Sequence, residues 1–169
     1  NGIDYNEFNP ETDPNIVKNY SIETFRKEKV KNKTALQEEL GLEKDPHKML
    51  IGIVSRLTDQ KGFDLVNYVM DELCQDEVEI VILGTGEERY ENSFRYFAWK
   101  YPEKVSANIY YSEPMSHKVY ASCDAFLMPS LFEPCGLSQF MSLRCGTVPI
   151  VRETGGLKDT VEPYNEFEK

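Results

Sequence analysis

The chain predicts an α/β fold, a Rossmann-like doubly wound parallel sheet, and three observations carry that expectation. Short apolar runs of strand length recur at 49–55, 78–83, 105–111, 124–129 and 147–151. Segments with helical spacing of apolar residues separate them. No repeat or low-complexity tract interrupts the alternation. Strands alternating with helices make parallel βαβ units, and such sheets bind ligands at the carboxyl ends of their strands.

Residues 1–20 contain the breaker pairs Asn1-Gly2, Asn9-Pro10 and Asp13-Pro14 and are expected as a linker loop over the surface. Residues 21–169 form the domain proper. The highly charged stretch 21–40 is helical in tendency, expected as two short helices, with Gly41 as a C-terminal stop. Run 49–55, M-L-I-G-I-V-S, suits a strand buried on both faces. Phe63, Leu65, Val66, Val69, Met70 and Leu73 then mark a helix over 61–74. The strand at 78–83 ends in Gly84-Thr85-Gly86, and 87–100 reads as an amphipathic aromatic helix. A strand at 105–111, a short helix at 115–122 and a strand at 124–129 that stops at Pro129 follow. A helix over 136–145 and a strand over 147–151 complete the series.

At 169 residues the chain has the length of one domain, enough to bury a real core. Its net charge of −10 argues against general nucleic-acid binding, while leaving room for a local basic pocket. The apolar runs are far too short to span a membrane. Cys74, Cys123, Cys135 and Cys145 form no C-x-x-C pair, and with only His47 and His117 beside them no metal site is expected. Reduced thiols in an intracellular protein fit this usage. The chain starts at Asn1 without an initiator methionine and is expected to be an excised fragment, so the lack of a signal peptide says nothing about targeting.

The most informative stretch is 132–139, F-E-P-C-G-L-S-Q. It joins a strand to a helix through a small-residue turn, and the unpaired first amides of that helix suit a phosphate. Glu133 at the mouth of such a site would repel phosphate, so its natural ligand is the hydroxyls of a sugar attached to that phosphate. Arg56 lies at the end of the first strand and Lys61 at the start of the next helix, placed to converge on one anion. The competing reading is two solvated surface charges. Gly84-Thr85-Gly86 lacks the third glycine of a dinucleotide fingerprint and reads as a backbone turn. Tyr111, closing the third strand, is either a stacking platform for a planar base or an ordinary rim aromatic. His117 suits a capping or surface position better than a catalytic base. Thr154, Gly155 and Gly156 form a second glycine turn, a phosphate or sugar contact or simply a turn.

Four segments together resemble bacterial glycogen synthases and plant starch synthases: N-G-I-D at 1–4, S-R-L-T-D-Q-K-G at 55–62, F-E-P-C-G-L-S-Q at 132–139 and R-E-T-G-G-L-K-D-T-V at 152–161. These are retaining glycosyltransferases of the two-Rossmann-domain type called GT-B. The resemblance implies part of the C-terminal, donor-binding domain. ADP-glucose would be the donor and the non-reducing end of an α-1,4-glucan (glycogen) the acceptor. By the same resemblance Arg56 and Lys61 would hold the diphosphate and neutralise the departing ADP. Tyr111 would stack on adenine, Glu133 would bind glucose hydroxyls, and the Gly136, Leu137 and Ser138 amides would cap the distal phosphate. Cys135 would sit close to the sugar, and His117 matches a motif histidine of open role.

No metal or other cofactor is implied, since cationic side chains and a helix end take that place in the family. Many related enzymes carry a second glutamate eight positions after the first; Met141 stands there, as in the synthase branch. The N-terminal acceptor domain and the closing C-terminal helices are absent, so the piece alone is expected to be inactive. A cytoplasmic location is implied for a bacterial parent, or a plastid for a plant one. Two alternatives stay open: a retaining transferase using a UDP- or GDP-sugar on another acceptor, and a non-catalytic nucleotide- or glucan-binding module.

Overall fold

The structure is a computed structural model and describes residues 3–4, 6–133 and 136–164. Five strands build one sheet: β1 (Met49–Val54), β2 (Val78–Leu83), β3 (Val105–Asn108), β4 (Ala125–Met128) and β5 (Val148–Val151). Their spatial order is β3-β2-β1-β4-β5, and every pairing is parallel. The chain winds outward from β1 to one edge, then returns and winds to the other. The strand order therefore reverses between β1 and β4, which is where such sheets open a crevice at their carboxyl ends. The doubly wound expectation is met.

The helices are α1 (Phe25–Glu39), α2 (Phe63–Leu73), α3 (Glu88–Lys100), α4 (Glu113–Ser122), α5 (Ser138–Arg144) and α6 (Gly155–Thr160). A 3-10 turn over Asp59–Lys61 leads into α2. The largest core lies between the sheet and α2–α3, where Ile51, Ile53, Ile80 and Ile82 meet Phe63, Val66, Met70, Tyr90 and Phe94. On the opposite face α1 and α4 pack through Leu36, Val119 and Cys123 onto Leu50 and Val81. The central strands are apolar on both sides because helices cover both faces.

Several boundaries differ from expectation. The charged stretch 21–40 is a single helix, α1, because Leu36 and Gln37 are buried and give it one continuous inner face. It ends at Gly41 as expected, where the Leu42 amide donates to the Gln37 carbonyl at 2.9 Å. The third strand stops at Asn108 and does not reach Tyr111, since the β2 edge it pairs with ends at Leu83. The Thr154–Gly156 turn opens α6 instead of merely reversing the chain. Residues 6–20 hold neither helix nor strand, yet they do not simply lie on the surface: Phe8, Ile16 and Tyr20 are buried. The Tyr20 hydroxyl donates to the Cys145 carbonyl at 2.6 Å. Among the described residues no helix is long and apolar enough to cross a membrane.

Candidate functional site

A cleft of about 280 Å³ opens at the β1/β4 reversal. Val54 and Ser55 line it from the end of β1, and Leu127 to Ser130 from the end of β4. Lys61 and Phe63 enter from the start of α2, Glu133 from the loop after β4, and Gly136, Leu137 and Ser138 from the start of α5. The topology thus brings Lys61, Glu133, Gly136, Leu137 and Ser138 together although up to 77 positions separate them in sequence (138 − 61).

The approach depends on backbone detail. Gly62 sits at φ +80° with its α-carbon pressed against the Pro129 carbonyl, and a Cβ there would stand 2.0 Å from that oxygen. Only glycine combines this conformation with this contact. The Leu131 amide donates to the Gln60 carbonyl at 2.8 Å, tying the two loops together. Lys61 is thereby delivered to Glu133, its Nζ donating to Oε2 at 2.6 Å. Both side chains are largely shielded, 20% and 13% exposed. Ser130 also donates to the same carboxylate oxygen at 3.4 Å. Gly136 presses on Glu133 from the other side, where a Cβ would lie 2.9 Å from Cγ.

The carboxylate expected to meet a sugar therefore holds the lysine expected to meet phosphate. A partly buried ion pair of this kind keeps both charges compensated. A ligand with an anionic end and a hydroxyl-rich end can replace each partner for the other. Arg56 is exposed, follows the lining residue Ser55 in sequence, and is not itself among the lining residues. A long guanidinium at the rim of an acidic protein can reach an incoming anion.

The remaining expected residues fall elsewhere. Tyr111 is 85% exposed, three residues beyond β3, outside the cleft lining. Thr154 and Gly156 brace the cleft loop: the Gly156 amide donates to the Glu133 carbonyl at 3.0 Å and Thr154 Oγ1 to the Leu131 carbonyl at 3.4 Å. Gly155, at φ +44°, permits that turn. Cys135 lies outside the described residues. His117 is neither a surface nor a capping histidine: it is buried, its Nδ1 2.6 Å from Asp13 Oδ2, and its ring stacks on Phe8 at 4.5 Å.

Three residues carry contacts that the sequence does not announce. Ser130 and the Pro129 carbonyl stand directly after a strand, and the strand-end rule applied one residue further would have found them. Asp13, the His117 partner, carried no local signal, since the 104 positions between them are bridged only by the fold. No cysteine described here suits a nucleophile: burial pushes the Cys123 thiol up to about 12 and the Cys145 thiol up to about 11.

Residues 32–166 match the family model described as Glycosyl transferases group 1. The chain belongs to that family. It is 76% identical over 168 residues to a glycogen synthase of Lachnospira eligens, and 67% identical over 168 residues to that of Lachnoclostridium phytofermentans. Each alignment covers 99% of this chain and 35% of the relative, so the chain spans about a third of the length of the curated relatives it matches. Among solved structures, the catalytic domain of starch synthase IV from Arabidopsis thaliana, bound to ADP and acarbose, superposes with a TM-score of 0.88 at 33% identity. That match covers all of this chain and 35% of the other. Anabaena Alr3699/HepE, in complex with UDP and glucose, shares the fold at a TM-score of 0.67 and 20% identity, over 96% of this chain and 40% of its own.

Proposed function

We propose that this chain is the donor-binding part of a glycogen synthase, which transfers glucose from ADP-glucose to the non-reducing end of an α-1,4-glucan with retention. The meeting of Lys61 and Glu133 at the sheet's reversal point is the observation that carries the reading. A nucleotide sugar has the matching polarity, with anionic phosphates at one end of its linkage and neutral hydroxyls at the other. The diphosphate takes Lys61 and draws in Arg56, and the sugar hydroxyls take Glu133. The similarity to glycogen synthases and to a starch synthase bound to ADP favours adenine as the base.

In the reaction the bond from the anomeric carbon to the diphosphate oxygen breaks, and a bond to the acceptor's 4-hydroxyl oxygen forms on the same face of the sugar. The acceptor proton goes to the departing phosphate. Lys61 and Arg56 stabilise the negative charge that grows on ADP, the term that matters most in such a step. Glu133, once freed from Lys61, orients the glucose. The acceptor surface belongs to the portion of the parent beyond this third of its length, so the chain by itself binds donor without transferring sugar.

Calorimetric titration with ADP and UDP tests the reading. ADP should bind measurably, and an Arg56→Ala/Lys61→Ala double variant should lose that binding. A clear preference for UDP would instead assign the site to a UDP-sugar transferase.

A further inference from the structure

On the face covered by α2 and α3, far from the cleft, the chain exposes an aromatic cluster. Trp99, the only tryptophan, is 77% exposed at the end of α3. Tyr96, 48% exposed, lies one turn earlier, with its ring 6.0 Å from that of Trp99 and tilted by 33°. Lys100 Nζ stands 5.9 Å from the Tyr96 ring and 5.4 Å from the Tyr101 ring. Lys100 Nζ and the Tyr101 hydroxyl both donate to Asp71 Oδ1, at 2.8 and 2.6 Å. Asp71 Oδ2 stays open among the described residues. Tyr68, three residues before Asp71 on the same side of α2, is exposed as well.

The combination is a shallow aromatic platform with a fixed carboxylate acceptor at its edge. It suits a ligand whose flat faces carry C–H groups and whose rim carries hydroxyls. A protein partner fits poorly, because an interface core is depleted of charge and would have to desolvate the Asp71–Lys100 pair. Nucleic acid is disfavoured by the net charge of −10. A hydrated polyol leaves that pair wet.

We propose that the Tyr96–Trp99 platform with Asp71 is a second carbohydrate site, binding α-glucan outside the cleft. The proposal rests on the reading of the parent as a glucan transferase. Helix α3 leaves the carboxyl end of β2 and returns to the amino end of β3, so its 13 residues set the platform at the opposite end of the sheet from the cleft, about 20 Å away. A polymer held there stays close to the enzyme between transfers, and its chain ends gain effective concentration without any new contact in the cleft.

Because Trp99 is the sole tryptophan, its emission reports this surface alone. Titration with maltoheptaose should change that emission saturably. Tyr96→Ala and Asp71→Ala should each weaken the apparent affinity by roughly fivefold, the equivalent of one stacking or charge-assisted contact. The Arg56→Ala/Lys61→Ala variant should leave the titration unchanged. Absence of a saturable change, or an unaltered titration in both platform variants, overturns the proposal. An emission shift that follows protein concentration without sugar would assign the face to a second copy of the chain and overturn it too. ADP calorimetry separates the two ideas: a maltoheptaose response with no ADP binding removes the cleft reading and keeps the platform, and the converse removes the platform alone.

Discussion

Among the described residues two side-chain pairs close to the same 2.6 Å, Lys61 with Glu133 and His117 with Asp13, and they differ in everything around them. The first lies in the cleft, is partly shielded, and is built from two loops that glycines allow to touch. The second is 5% and 7% exposed, has Phe8 stacked on it, and joins the leading segment to α4. Both members of the first pair line the cleft, where the proposed donor would replace each for the other. The second is sealed on the side of Phe8 and holds residues 6–20 against the domain. Equal distance therefore hides unequal settings: one pair lines a cleft, where the proposed donor would exchange with it, while the other is enclosed and ties residues 6–20 to α4.

The comparison is broken most directly at Glu133. In the full-length parent, Glu133→Ala should lower turnover by about a hundredfold or more, in the range of lost transition-state contacts. Thermal stability should move little, because Lys61 regains water at the open cleft. Near-normal turnover measured with ADP-glucose and glycogen would remove Glu133 from the site. His117→Ala should do the reverse. Leaving the Asp13 carboxyl buried without this hydrogen bond costs about 3 kcal/mol, in the range of an unsatisfied buried polar group. Urea denaturation should show that loss, while ADP affinity of the folded fraction stays within twofold. If His117→Ala left stability intact and cut ADP binding, the assignment of roles would be inverted.

Between these lies Gly62→Ala, which strains the contact that brings the two cleft loops together. A side chain at φ +80° facing a carbonyl 2.0 Å away should cost about 2 kcal/mol and also weaken ADP binding. A stability loss with unchanged ADP affinity would show that Lys61 reaches its position without the Gly62–Pro129 contact.

The fold was legible because periodicity is local. Each strand core announced itself as an apolar run, and alternation with helices implied the parallel sheet. Lys61 and Glu133 were legible for the same reason, each standing beside a strand end. What stayed hidden depended on contacts across the chain. The Lys61–Glu133 pair was not foreseen, since each charge was assigned to a different part of a ligand. The 21–40 helix was divided in two because its charge obscured the one stripe, Leu36 and Gln37 among it, that faces the sheet. Residues 6–20 looked like surface linker because breaker pairs say nothing of Phe8, Ile16 and Tyr20 finding pockets on α4 and α5 elements made much later in sequence. His117 was misjudged with them, for its partner belongs to that segment.

The smallest expected effect concerns a half-buried lysine that has, among the described residues, no carboxylate partner at hydrogen-bond distance. Lys29 Nζ donates to the Ala121 carbonyl and Thr147 Oγ1, both at 2.9 Å, and to the Tyr120 carbonyl at 3.3 Å. Burial pushes it down to about 8 from 10.5. With the folded value below the unfolded one, the unfolded chain binds the proton more tightly, so this group makes stability rise with pH from about 8 toward 10.5. The buried Cys123 and Cys145 thiols, raised from 9.0, act with the opposite sign once the unfolded chain begins to ionise near that value. Stability followed by urea denaturation should therefore rise by about 1 kcal/mol at most between pH 8 and 9, then turn downward. In Lys29→Met the rise should vanish and the downward turn remain. A rise of the same size in that variant would mean that the pH dependence comes from another group and that Lys29 keeps its proton across this range.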